Sequence, residues 1–303
     1  MYSDTLLSSL IIEPDPAPAI VNHLLTQLEP LVDLNDIGST YEAVEEKLRD
    51  FEEWLHVTWG KGFYDILVTG EDEWALTKAF RTATEKKTNV LICDGLSIRE
   101  LLVLSCRYGA GLSYMVGRAP APTTTENTAR RFFQTGNLKD AFKAERLIEG
   151  NKWKGIIIED LNKPPRLGSE TGYMLLTQFP DSPLHNALTH RTTQVQDVSN
   201  VISEVVDLIN HLSKNTPLTV TGDHGYIYLG LNPQRNLWDP YSRVERFGGN
   251  YGEKGMVVDG VSVAVGRFHA NTGPGSNTFI THGGVSLTES LVPVVTIDAG
   301  VEH

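Results

Sequence analysis

Leu218-Thr219-Val220-Thr221-Gly222-Asp223-His224-Gly225 decides the reading of this chain. Its first half is an apolar, β-branched run, the composition of a buried strand. Its second half sets a carboxylate and an imidazole side by side between glycines, at the C-terminal end of that strand. In an open α/β sheet this is the edge where ligands and metals gather. A buried, unpaired carboxylate beside an imidazole is costly unless a metal or a partner compensates it.

Outward from this strand the pattern repeats. Asn89 to Cys93 is another short apolar run, closed by Asp94-Gly95, and Ile98 to Tyr108 reads as the helix that follows. Further strands are expected over Ala110–Val116, Gly155–Ile158, Tyr173–Thr177 and Val292–Ile297, with a strongly periodic helix over Gln196–Leu212. Strands alternating with helices argue for a mostly parallel sheet covered on both faces. Tyr226 to Phe279 breaks this rhythm. It is rich in Gly and Asn, and Val257 to Phe268 alternates like a hairpin about Asp259-Gly260, so an antiparallel edge with long loops is expected there.

Residues 1–85 read as a mainly helical segment, with apolar positions at helical spacing over Ile20–Leu34 and over Tyr41–Trp59. Ser39-Thr40-Tyr41-Glu42 is the expected start of the second helix. Tyr64–Thr69 reads as a short strand and Glu71–Lys86 as a further helix. Trp54, Trp59 and Trp74 are expected to pack this segment against the main domain, residues 86–303.

The chain has 303 residues, enough for one large α/β domain with an appendage. Its net charge of −12 weighs against binding duplex nucleic acid through a basic face. Short oligonucleotides stay open, because bound divalent cations can reverse the sign of a cleft. No apolar run approaches the roughly 20 residues that span a bilayer, and the first twelve residues lack a basic n-region. Cys93 and Cys106 alone do not make a disulfide framework. The expected location is the cytoplasm.

Three other segments offer groups like those of Asp223-His224: Asp94 at its strand end, Asp181 with His185, and His282, while a fourth supplies a hydroxyl. Phe179-Pro180-Asp181-Ser182-Pro183-Leu184-His185 carries a carboxylate and an imidazole four residues apart, with two prolines that argue for a fixed loop. His190 is a nearby competitor. Thr281-His282-Gly283-Gly284 lets the backbone approach a ligand closely. Pro122-Thr123-Thr124-Thr125-Glu126-Asn127 opens a helix expected to run to Gln134, and its threonines read first as an N-cap cluster. A helix start also stabilises negative charge, and a threonine hydroxyl activated by a metal there is a competent nucleophile. Thr125 is the preferred candidate, with Thr124 and Thr123 behind it, and Asn127 is a candidate hydrogen-bond donor to the substrate. Arg243, Arg246, Arg267 and His269, on the Gly-rich loops, are candidates to meet a phosphate. Arg130 and Arg131 are adjacent on a helix and cannot both face a cleft.

In this order, Asp94-Gly95, Pro122-Thr123-Thr124-Thr125-Glu126, Asp181-x-x-x-His185, Gly222-Asp223-His224-Gly225 and His282-Gly283-Gly284 with Glu289 and Pro293, the chain resembles the alkaline phosphatase superfamily, and within it the PglZ domain family, over roughly residues 88–300. The resemblance implies an alkaline-phosphatase-like three-layer sandwich. It also implies two divalent ions, zinc first and manganese second, one held by Asp94, Thr125, Asp223 and His224 and the other by Asp181, His185 and His282. The implied activity is a two-metal phosphodiesterase or phosphatase acting on nucleotides or short oligonucleotides through a threonine nucleophile. PglZ domains occur in phage-defence systems of the BREX type, so defence-complex proteins are implied partners. An interval from Thr125 to Gly136 one residue longer than usual favours the alternative, a catalytically silent, metal-stabilised interaction module of such a complex. Threonine where sulfatases carry Cys or Ser argues against sulfatase activity.

Overall fold

The computed structural model describes residues 4–68, 70–168, 170–186, 198–230, 233–239, 244–270 and 279–300. His190 and Arg243 lie outside the described residues.

Strands β1 (Asn89–Asp94), β2 (Leu112–Arg118), β3 (Arg146–Ile148), β4 (Asn151–Ile158), β5 (Tyr173–Pro180) and β6 (Leu218–Gly222) join a late strand, Leu291–Ile297, in one seven-stranded sheet. Between β6 and that strand, β7 (Ile227–Tyr228) pairs with β10 (Ile280–Thr281), and β8 (Gly255–Val258) forms a hairpin with β9 (Val261–Ala264). The late strand is therefore β11, and the sheet order is β2-β11-β6-β1-β5-β4-β3. Strands β4, β5, β1 and β6 are parallel neighbours, and β2 runs the same way. The strands that oppose them are β3, at one edge, and β11, which lies inside the sheet between β2 and β6. The expected antiparallel edge at Tyr226–Phe279 is thus corrected. That region makes two separate small ladders, and its hairpin turns at Asp259-Gly260 as expected.

Every residue of β1, β6 and β11 is buried. Their side chains alternate between two cores, as the period of a strand requires. In β1, Leu91 and Cys93 face one core and Val90 and Ile92 the other. The second core is filled from above by α5 (Ala75–Lys86) with Phe80, and by Phe133, Phe142 and Trp153. The first is covered by α2 (Ala17–Leu28), α3 (Ile37–Trp59), α4 (Lys61–Leu67), α6 (Ile98–Tyr108) and α10 (Val198–Ser213). The short helices are α1 (Asp4–Ile12), α7 (Thr125–Thr128), α8 (Leu138–Ala141), α9 (Asp181–Asn186), α11 (Pro233–Asn236) and α12 (Leu287–Ser290).

Two sequence expectations give way here. Tyr64–Thr69 is not a strand: Phe63, Tyr64 and Leu67 bury one face of α4, and so short an apolar run fits either state until its partners are known. The helix expected over Thr123–Gln134 is instead α7 followed by a wider-wound π segment, Ala129–Phe133.

The N-terminal helices share the sheet's own core. On α3, Tyr41, Val44, Leu48, Phe51 and Leu55 form an apolar stripe that is at most 2% exposed, about 1.5–3 kcal/mol of burial for each large side chain. The helix starts where Asp36 Oδ1 caps Ser39 N at 3.0 Å, earlier than the expected Ser39, and stops at Gly60, whose φ is +56°. The same helix buries two acids, Glu45 and Glu52, in full. Glu45 pairs with Arg99 and Arg267, and Glu52 accepts from Arg267 Nε at 2.9 Å and from Leu287 N at 2.7 Å. Arg246 forms a two-pronged pair with Glu289, at 2.8 and 2.6 Å. Arg246 and Arg267 are therefore internal counter-ions, neither the phosphate ligands for which they were candidates nor solvated loop charges. The His269 carbonyl accepts from Arg246 and its ring lies against Tyr251. Removing one partner of such a pair leaves a bare buried charge. Glu45→Ala is expected to cost about 3–5 kcal/mol of stability, read from the denaturant midpoint.

Candidate metal centre

Sheet register brings the site together. Asp94 ends β1 opposite Pro180, and Cys93 lies opposite Gly222. Asp181 and Asp223 are each one step beyond those partners, so three carboxylates leave adjacent parallel strands at one edge. The antiparallel β11 begins at that edge, with Leu291 opposite Arg118 at the end of β2. The segments before β11 and after β2 therefore deliver His282 and the threonine cluster to the same place. Gly95 permits the turn after Asp94. Its φ is +75°, a Cβ there would stand 3.3 Å from Asp181 Cβ, and its N–H donates to Asp223 Oδ1 at 3.1 Å. Gly225 is equally constrained, because a Cβ would collide with the Thr288 carbonyl.

Asp94, Asp223 and His224 offer donor atoms all within 4.8 Å of one another, and so do Asp181, His224 and His282. His224 therefore stands between the two groups. Its Nε2 lies 3.6 Å from Asp94 Oδ1 and 3.8 Å from Asp223 Oδ2. Asp181 Oδ1 lies 3.5 Å from both His185 Nε2 and His282 Nε2. Asp181 and His185 share one face of α9, because Pro183 is tolerated in the first turn of a helix, where no backbone N–H is needed. The expected loop is corrected to this short helix.

The donor atoms fit divalent ions. Asp181 Oδ1 and Asp223 Oδ2 are buried and make no hydrogen bond, while the other Asp223 oxygen is fixed by the N–H groups of Gly95 and His224. Two carboxylate oxygens kept bare inside a protein are expensive, and a cation removes that cost. His224 Nδ1 lies 3.0 Å from the Gly225 carbonyl, and His282 Nδ1 lies 3.0 Å from the Thr123 carbonyl. Each ring donates there and turns the Nε2 lone pair to the centre, the arrangement that orients metal-bound histidines. Separations of 3.5–3.8 Å are too long for hydrogen bonds. They lie near the roughly 3.3 Å between neighbouring ligands of a tetrahedral zinc.

The three threonines have different tasks. Thr123 Oγ1 donates to the Gly284 carbonyl at 2.9 Å and accepts from Gly283 N at 3.0 Å, which pins the His282 loop. Thr124 caps α7 through Asn127 N at 3.2 Å. Thr125 Oγ1 points into the donors, donating to Asp94 Oδ1 at 3.0 Å and lying 3.2 Å from His224 Nε2. Asn127 does not serve as a substrate donor. Its amide N–H groups go to the carbonyls of Pro120 and Pro122, and its oxygen accepts from Arg130 and Arg131, which uses up the side chain.

Burial, reinforced by the Asp223 and Asp181 charges, pushes the Asp94 carboxyl well above the usual carboxylate range. Asp181 is also pushed up by burial, against the pull of His185 and His224. Burial drives His282 well below the ordinary imidazole value, helped by His224 and His185. Burial also disfavours the charged form of His224, but Asp223 and Asp181 outweigh it and the net direction is upward. Opposed shifts within one cluster make it a candidate functional site.

A cleft of about 300 Å³ opens over the donors, lined by Asp94, Thr125, Asp181 and His282, and by Glu126, Lys139, Leu176 and Gln178. Lys139 and Gln178 carry no sequence signal, since each sits in an ordinary amphipathic stretch. Among the described residues, no helix is long and apolar enough to cross a membrane. No protein-family model matches the chain, and no curated protein matches it.

Proposed function

We propose that the chain is a two-metal phosphoester hydrolase with an alkaline-phosphatase-like, PglZ-type domain, acting on phosphodiesters such as nucleotides or short oligonucleotides, with Thr125 as nucleophile. The observation that carries this reading is the Thr125 hydroxyl, held 3.0 Å from Asp94 and 3.2 Å from His224 amid donors drawn from distant parts of the chain. Asp94, Asp223, His224 and Thr125 would hold one ion. Asp181, His185 and His282 would hold the other, with His224 at the boundary between them. Imidazoles mixed with carboxylates suit zinc, with manganese second.

When bound, such ions polarise a phosphoryl oxygen and lower the pKa of a hydroxyl. The chain supplies the rest. Asp94 accepts the Thr125 hydrogen bond and so aims an oxygen lone pair at the cleft. Attack of Thr125 Oγ1 on the phosphorus of a diester would break one ester bond, the hydroxyl proton passing through Asp94 to the departing alcohol, and leave the phosphorus on threonine as a new ester that still carries the second alcohol. Water then cleaves that ester and restores the hydroxyl. The Gly225 and Thr123 carbonyls hold both imidazoles in one tautomer throughout.

Purified protein supplied with Zn²⁺ or Mn²⁺ is expected to hydrolyse bis-p-nitrophenyl phosphate. A chelator should abolish turnover, and added metal should restore it. Tight metal binding with no hydrolysis of any phosphoester would favour the silent interaction module instead.

A further inference from the structure

Two charged side chains on the cleft remain without a task. Glu126, exposed and next in chain to Thr125, and Lys139, at the start of α8, both line the cleft. Neither makes an ion pair or a side-chain hydrogen bond among the described residues. Their neighbours do: Arg131 pairs with Asp259 at 2.5 Å and Lys143 with Asp140 at 2.7 Å. An acid in the first turn of a helix commonly supports that helix. Here α7 has only four residues before it widens, so that benefit is small. Glu126 also lines the same cleft as Asp94, Asp181 and His282.

We propose that Glu126 and Lys139 sort substrates by charge, Lys139 attracting the single negative charge of a phosphodiester and Glu126 repelling the second charge of a monoester. The inference rests on the phosphoester reading above and names its specificity-determining residues. A phosphodiester carries one negative charge at neutral pH, and a monoester carries about 1.5 to 2, because its second pKa is near 6. Among the described residues the cleft wall offers one cationic side chain, Lys139, beside the two ions of the proposed centre. Each charge beyond the first meets Glu126, an acid with no ion pair among the described residues, at the mouth of the cleft. One unit of charge at such a range, screened by salt, is worth on the order of tenfold in relative rate.

The test uses the full chain loaded with Zn²⁺, and compares kcat/KM for bis-p-nitrophenyl phosphate and p-nitrophenyl phosphate. Glu126→Gln is expected to raise the monoester-to-diester ratio about tenfold, and to tighten inhibition by inorganic phosphate by a similar factor. Glu126→Ser serves as a second variant of different shape and should shift the ratio the same way. Lys139→Met is expected to raise KM for the diester more than it lowers kcat. If the wild type cleaves the diester and both Glu126 variants keep its ratio, charge sorting is overturned and the hydrolase reading stands. If the wild type cleaves neither ester with Zn²⁺ or Mn²⁺, both readings fall together.

Discussion

Thr125→Ala is expected to lower kcat/KM for bis-p-nitrophenyl phosphate by on the order of 10³-fold or more, with the far-UV circular dichroism of the protein unchanged. The side chain contributes a hydroxyl among the donors and no packing that holds the sheet together. Its neighbours give the control. Thr124→Ala removes a helix cap, about 1 kcal/mol, and should reduce stability much more than turnover. Thr123→Ala frees the loop that carries His282, since Thr123 is the residue bonded to Gly283 and Gly284. It should therefore weaken metal binding. Equal losses in all three variants, or none at Thr125, would remove Thr125 as the nucleophile.

Asp94→Asn is expected to move activity and metal-free stability in opposite directions. Loss of a carboxylate donor should cut turnover by at least about 100-fold. In chelated protein, the same change removes a charge that burial and two neighbouring carboxylates oppose. The sign follows from linkage. A carboxyl whose folded pKa lies above its unfolded value binds more protons when folded. Its contribution to stability is then fullest at acid pH, and declines as pH rises from the unfolded pKa to the folded one. At neutral pH, Asp94 in the metal-free protein is therefore a destabilising residue. The chelated Asp94→Asn protein should melt at a higher temperature than chelated wild type, and the gap should close as pH falls towards 4. A lower melting temperature at neutral pH would show that Asp94 supports the fold, contrary to its place in the centre.

The central strands were legible because β1, β5 and β6 are continuous apolar runs closed by chemistry-bearing residues, and a parallel sheet buries such strands on both faces. The donors were legible for the same reason, since Asp94 and Asp223-His224 follow directly from strand ends. The place of β11 was not legible. Val292 to Ile297 reads as a strand, but nothing local says that it enters between β2 and β6 in the opposite direction. Local sequence also misled at Arg246 and Arg267. They sit among glycines and read as loop charges, while their acids lie 43 and 215 to 222 residues away along the chain. Among Thr123, Thr124 and Thr125 the ambiguity is one of orientation, and only the contacts of each hydroxyl separate them.

The acids on α3 bear on how this molecule can be divided. A fragment beginning near Thr88 would keep every donor of the centre yet lack Glu45 and Glu52, so Arg99 and Arg267 would lose the acids that pair with them and the apolar face beneath α2, α3 and α4 would be bared. Leu287 N would also lose its acceptor just ahead of β11. Such a truncation should be insoluble when expressed alone, and co-expression of residues 1–87 as a separate chain should rescue it. Residues 1–87 would then be a folding requirement of the segment that carries the donors, and Glu45 and Glu52 the charges through which they meet it.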